Sequence, residues 1–145
     1  MKIDKIGPSA GKTRTVSKKN ETAGSGFLNL MQDRKDAETR DELNKMLKKI
    51  KDKGEELVES KNIELLVEYK KSVKDFVTGA VNFAFEVVDR KGRSRIGRAK
   101  ILKIVSQIDD ELVKITEEFL SEERNKLNLL RKIGELGGLL TNIYV

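Results

Sequence analysis

The stretch RAKILKIVSQIDDELVKITEEFLSEERNKLNLLRKIGELGGLLTNIY, residues 98–144, decides the fold: it holds no proline and repeats apolar residues at helical spacing almost to its end. Every third and fourth position gives Ile101, Val105, Ile108, Leu112, Ile115 and Phe119, then Glu122 and Lys126, then Leu129, Ile133, Leu136, Leu140 and Ile143. Side chains at that spacing share one helical face, so the seam must be buried against other helices or a second copy of the chain. An unbroken helix over 98–143 would run about 69 Å. The two helices read upstream of it would be only about 35 to 40 Å long. The excess has two outlets. The helix can bend near 120–126 and complete a four-helix bundle, or it can project and bury Leu129, Ile133, Leu136, Leu140 and Ile143 in self-association. Burying Glu122 and Lys126 in succession would be costly, which favours the bend. Against it, Ser121-Glu122-Glu123-Arg124 has no glycine or proline to turn on, and Glu122 with Lys126 is an ordinary i, i+4 pair.

Upstream, Leu43, Leu47, Ile50, Leu57 and Val58 mark an amphipathic helix from about Asp36 to Ser60, with acids in its first turns as the helix dipole favours. Gly54 weakens that helix without breaking it. Ser60-Lys61-Asn62 reads as a turn, with Asn62 capping a helix from Ile63 to about Asp89. Ile63, Leu66, Val67, Val73, Phe76, Val77, Ala80, Val81, Ala84, Val87 and Val88 give this helix a wide apolar arc, off which Phe83 and Phe85 fall. Such an arc belongs at the centre of a bundle. Phe27, Leu28, Leu30 and Met31 read as a helical turn covering the core. The fold class is therefore all-α: an antiparallel helical bundle of three to four long helices, with the last one long and a bend expected near 120–126. It occupies residues 27–145 behind a flexible basic arm, residues 1–26, which holds the only proline and no apolar periodicity.

Composition narrows the chemistry. The 145 residues include no cysteine and no histidine, which removes thiol nucleophiles and the usual ligands of zinc and haem. No cofactor and no metal are expected. No signal-peptide core and no run of about 18 apolar residues occurs, so the expectation is a cytoplasmic protein without a membrane partner. The charged fraction of 37% with only two glutamines fits a thermophilic source, while eight asparagines argue the other way.

The net charge of +6 is unevenly placed. Residues 1–26 carry six basic residues against Asp4 and Glu21, and residues 90–100 carry Arg90, Lys91, Arg93, Arg95, Arg98 and Lys100 with no acid. The remainder is mildly acidic. Those six cations could engage phosphates through backbone contact, or an acidic protein partner, or could keep a flexible hairpin solvated. Aromatic residues that would stack bases are missing near them. Gly7-Pro8-Ser9-Ala10-Gly11-Lys12-Thr13 imitates a phosphate-binding loop but has three residues between its glycines where four are needed, and no strand precedes it. Asp109-Asp110-Glu111, Glu117-Glu118 and Glu122-Glu123 read as a solvated face, because adjacent acids point in different directions on a helix. No catalytic constellation and no small-molecule substrate emerge.

Tyr69-Lys70-Lys71-Ser72-Val73-Lys74-Asp75-Phe76, the basic loop Arg90 to Arg95, Lys103-Ile104-Val105 with Ile108-Asp109, and Gly138-Leu139-Leu140 before Ile143-Tyr144 resemble the YaaR-like family of uncharacterised bacterial proteins. The resemblance covers about residues 27 to 145. It implies an all-α cytoplasmic bacterial protein and supplies no reaction, cofactor or site residue. The functional expectation is a non-enzymatic protein-interaction or self-associating module. The alternative is a nucleic-acid accessory protein binding phosphates through residues 90–100.

Overall fold

The computed structural model describes the backbone of residues 11–145, with the exposure of each residue described at Gly24 and from Gly26 onward. Four helices follow in order: α1 (Gly11–Glu59), α2 (Ile63–Arg90), α3 (Ser94–Leu120) and α4 (Lys126–Asn142). No strand occurs among the described residues. The chain divides into two compact units, Met1–Thr39 and Arg40–Val145.

In the first unit, residues 1–10 lie outside the described residues, and with them much of the expected arm and of the Gly7 to Thr13 look-alike. From Gly11 the backbone is helical, so α1 begins well before the expected Asp36. Gly24 and Gly26 each weaken a helix by about 1 kcal/mol, which does not stop one with no proline after Pro8. Gln32 donates to Asp36 at 3.1 Å across one turn.

The second unit is a bundle of all four helices. α2 packs on α3 and α3 on α4. α1 contributes Leu43, Leu47, Ile50, Leu57 and Val58, all buried. Gly54 sits on the same row, between Ile50 and Leu57. A Cβ there would stand 2.7 Å from Ile133 Cγ2 on α4 and 3.3 Å from Tyr69 Cε1 on α2. This glycine lets three helices approach, a larger role than the weak helix former the sequence suggests. Lys53 Nζ donates to Ser72 Oγ at 2.8 Å, and the Tyr144 hydroxyl donates to Asn44 Oδ1, so polar contacts tie α1 to α2 and to the end of α4.

The seam of the last third is confirmed as core. Ile101, Ile108, Leu112, Ile115, Phe119, Leu129, Ile133, Leu136, Leu140 and Ile143 are buried, and Val105 is half-buried. The bend is a full break. α3 ends at Leu120, Ser121 turns extended, and Asn125 caps α4 by accepting from the backbone N–H of Leu127 and Asn128. Glu122 stays exposed and Lys126 moves to the exposed first turn of α4, so neither charge is buried. The turn needs neither glycine nor proline, because Ser121 Oγ accepts from the Glu123 N–H and Glu118 accepts from that of Asn125. Arg124 locks it. Its guanidinium donates to the Val58 carbonyl at 2.6 Å and the Leu57 carbonyl at 3.3 Å and lies 4.7 Å from the Phe119 ring centroid. Those carbonyls belong to the last turn of α1, beyond the i→i−4 ladder, where the Leu57 carbonyl also accepts from the Ser60 N–H at 3.3 Å.

At the α1–α2 turn the sequence reading holds. Asn62 Oδ1 accepts from the Glu64 N–H at 2.9 Å, starting α2 where expected. Gly92, at φ 72°, closes the α2–α3 turn in the left-handed region that glycine enters without penalty. On α2 the buried row is Leu66, Tyr69, Val73, Phe76, Ala80, Phe83 and Ala84. Phe83 is thus core where the wide arc placed it aside, whereas Ile63 and Val67 are exposed.

Tyr69 is almost fully buried, and desolvation drives its hydroxyl well above the ordinary value near 10. The folded state then keeps a proton that the unfolded chain releases. Stability from this group is complete below about pH 10 and falls above it, by up to about 1.4 kcal/mol per pH unit. Burial raises the Tyr144 hydroxyl as well. Urea unfolding at pH 9 and pH 11 should show a drop in the wild type that is smaller in Tyr69→Phe. The two proteins differ only at this hydroxyl, so the comparison isolates it.

Candidate functional site

The expected basic loop is mostly not a loop. Only Lys91-Gly92-Arg93 lies between helices, and Arg95, Arg98 and Lys100 ride on the first turns of α3. The structure divides the six cations. Arg98 forms a bidentate pair with Asp89, Nε to Oδ1 at 3.1 Å and Nη2 to Oδ2 at 2.6 Å, and its guanidinium lies 4.6 Å from the Phe85 ring centroid. That hydrogen bond holds the Asp89 carboxyl below its usual range and raises Arg98. Arg98 is therefore a strut between α2 and α3, and Arg90 also has a partner. Lys91, Arg93, Arg95 and Lys100 are exposed, and among the described residues none of them enters an ion pair. Arg93 occupies the N-cap of α3 without a side-chain capping bond, and no acid stands in the first turn. This end of the bundle therefore carries concentrated positive potential.

Beside that turn lies a cavity of about 260 Å³. Phe83, Ala84 and Val88 of α2, Ile101 and Ile104 of α3, and Tyr144 beyond α4 form its apolar wall, and Lys91 and Lys100 line it together with Arg40. Arg40, which sequence reasoning passed over, lies 5.3 Å from the Phe83 ring centroid. Its 43-residue separation from Phe83 gave no pattern to find it by.

The proposed self-association stripe is corrected outright. Leu129, Leu136 and Leu140 are 0% exposed, and Ile133 and Ile143 are buried beside them. The break at Ser121–Asn125 folds α4 back, so this chain's own helices cover the stripe and nothing of it is left for another copy. Large apolar side chains are exposed elsewhere. Phe27, Leu28, Leu30 and Met31 in the first unit stand 65%, 65%, 70% and 56% exposed, in place of the expected core cover.

Two of the acidic groups enter ion pairs, and Asp109, Asp110, Glu117, Glu122 and Glu123 stand exposed. Glu118 pairs with Lys132 at 3.7 Å between α3 and α4, and Glu111 with Lys114 at 3.5 Å. Among the described residues no group of three or more Asp or Glu comes together to hold a metal. No helix among them is long and apolar enough to cross a membrane.

Fold and site together define a four-helix protein with an N-terminally extended first helix and a cationic end. The chain belongs to the family described as "Protein of unknown function (DUF327)", whose model matches residues 4–144 and so reaches into the arm that the resemblance had left out. It is 32% identical over 145 residues to "Uncharacterized protein YaaR" of Bacillus subtilis, covering 99% of both chains. The crystal structure of the uncharacterized protein BH1478 from Bacillus halodurans is similar with a TM-score of 0.74 and 38% identity, over 82% of this chain and 98% of that one. Moevan, described as a designed granulopoietic protein made by topological rescaffolding, matches with a TM-score of 0.69 and 36% identity, over 76% of this chain and 94% of its own. TM1646 from Thermotoga maritima, of the same family, matches at 0.64 and 26%, over 81% of this chain and 97% of its own.

Proposed function

We propose that this chain is a non-enzymatic helical module that pairs with a second copy of itself through the exposed apolar arc of α1. The carrying observation is the exposure of Phe27, Leu28, Leu30 and Met31, which lie within about 160° of one another around the helix at 100° per residue. Charge supports an antiparallel pairing. Residues 12–26 carry four basic residues against one acid, and residues 32–42 carry five acids against three basic residues. Two antiparallel copies centred on the arc set the basic stretch of each beside the acidic stretch of the other.

Magnitudes make the contact weak. Covering the four side chains fully gains about 4 to 8 kcal/mol after allowing for what is already covered, against an association cost of at least about 4 kcal/mol. Pairing is thus expected only at about millimolar protein concentration. Sedimentation equilibrium should show the mass rising toward a dimer over that range. Leu30→Asp with Met31→Asp should remain monomeric with unchanged helicity, since both positions are exposed. A wild type that stays monomeric, or a variant that still pairs, removes the reading.

A second reading rests on the exposure of Lys91, Arg93, Arg95 and Lys100, which gives a phosphate-directed surface of four cations instead of six. Its test neutralises Lys91, Arg93 and Arg95 to Ser and spares the strut Arg98. Duplex DNA binding at low salt that the variant loses supports it, with a salt slope of about −0.9 per phosphate contacted. Absence of binding by the wild type ends it.

A further inference from the structure

The cavity at the cationic end combines two features that separately mean little. Its wall is apolar on α2, α3 and the segment after α4, and Arg40, Lys91 and Lys100 reach it from α1, the α2–α3 turn and α3. Among the described residues none of the three is in an ion pair, and the Arg40 guanidinium lies over the face of Phe83. Three exposed like charges around one apolar opening raise the local positive potential, which favours an anion there. At about 260 Å³ the space falls just below the roughly 300 to 1,000 Å³ typical of ligand pockets, which suits a short molecule. An inorganic anion would leave the apolar wall unused, and a neutral hydrocarbon would leave the cations unused.

We infer that this cavity is a binding site for a small organic anion with an apolar body, of the chemistry of a medium-chain carboxylate. The apolar body lies against Ala84, Val88, Ile101 and Ile104, where its removal from water drives binding. The carboxylate lies among Arg40, Lys91 and Lys100, where charge-assisted hydrogen bonds orient it. The site lies wholly within the Arg40–Val145 unit and is independent of pairing through α1.

The probe is octanoate, followed by amide chemical-shift titration of the full chain, with 1-octanol and inorganic phosphate as comparison ligands. Octanoate is expected to shift the amides of Ala84, Ile101, Ile104 and their neighbours, and to bind at least ten-fold more tightly than either comparison ligand. Lys91→Gln with Lys100→Gln should weaken octanoate at least ten-fold and leave octanol binding unchanged. Both residues are exposed, so the thermal melt should not move. Arg40→Gln provides an independent variant with the same expected direction. Equal affinity for octanoate and octanol, shifts mapping to another part of the bundle, or no shifts at millimolar octanoate would each overturn the site.

Discussion

Leu136→Asp combined with Leu140→Asp is expected to abolish cooperative folding of the Arg40–Val145 unit. Both leucines are 0% exposed, one turn apart on α4. Each change removes about 1.5 to 3 kcal/mol of apolar burial and asks a carboxylate to enter the core, at an effective cost of several kcal/mol. Together these match or exceed the 5 to 15 kcal/mol that holds a typical domain folded. Had the stripe been an interface between copies, the same variant would be a well-folded monomer. Circular dichroism during a thermal scan separates the outcomes: the account requires loss of the sigmoidal transition, and a wild-type melt in a monomer would contradict it.

Phe76→Ala is a large single truncation, with an expected loss of about 3 to 5 kcal/mol. Phe76 is 0% exposed in the middle of α2, and its ring meets Tyr144 edge-on with centroids 6.0 Å apart. Removing it leaves a cavity among stiff neighbours and deprives Tyr144 of its packing, while the Tyr144 hydroxyl bond to Asn44 holds the ring in place. Phe76→Leu should cost less than half as much, because most of the volume is kept. Urea midpoints of the two variants measure the difference, and equal midpoints would show that the site collapses around the missing ring.

Position by position, the seam was legible because its physical cause is local: residues three and four apart must share a face whatever else the chain does. That rule placed Ile101 to Phe119 and Leu129 to Ile143 correctly and marked Glu122 with Lys126 as the point where burial fails. The same rule, started from Phe76, would have kept Tyr69 and Phe83 on the buried row of α2. Counting aliphatic residues instead admitted Ile63 and Val67, which lie at the start of α2 and are exposed. Other features depend on partners distant in sequence. Arg124 reaches Val58 across 66 residues, so a stretch lacking glycine and proline concealed a turn held by one arginine and two short polar caps. Arg98 looked equivalent to five other cations until Asp89 was seen facing it across the turn. The cationic cavity was half visible. Lys91 and Lys100 stood out in the charge run, whereas Arg40 and the apolar wall appear only once α1, α3 and the end of α4 meet.

The central claim is that the break at Ser121–Asn125 folds α4 onto its own chain. Nuclear Overhauser contacts between the Phe76 and Tyr144 rings test it most directly, because five phenylalanines, two tyrosines and no tryptophan leave the aromatic spectrum sparse enough to assign. In an equal mixture of isotope-labelled and unlabelled chains, the account predicts these contacts within one labelled molecule and none in the filtered spectrum that selects contacts between molecules. Their appearance in the filtered spectrum would mean that α4 packs on a neighbour, and the account would be contradicted.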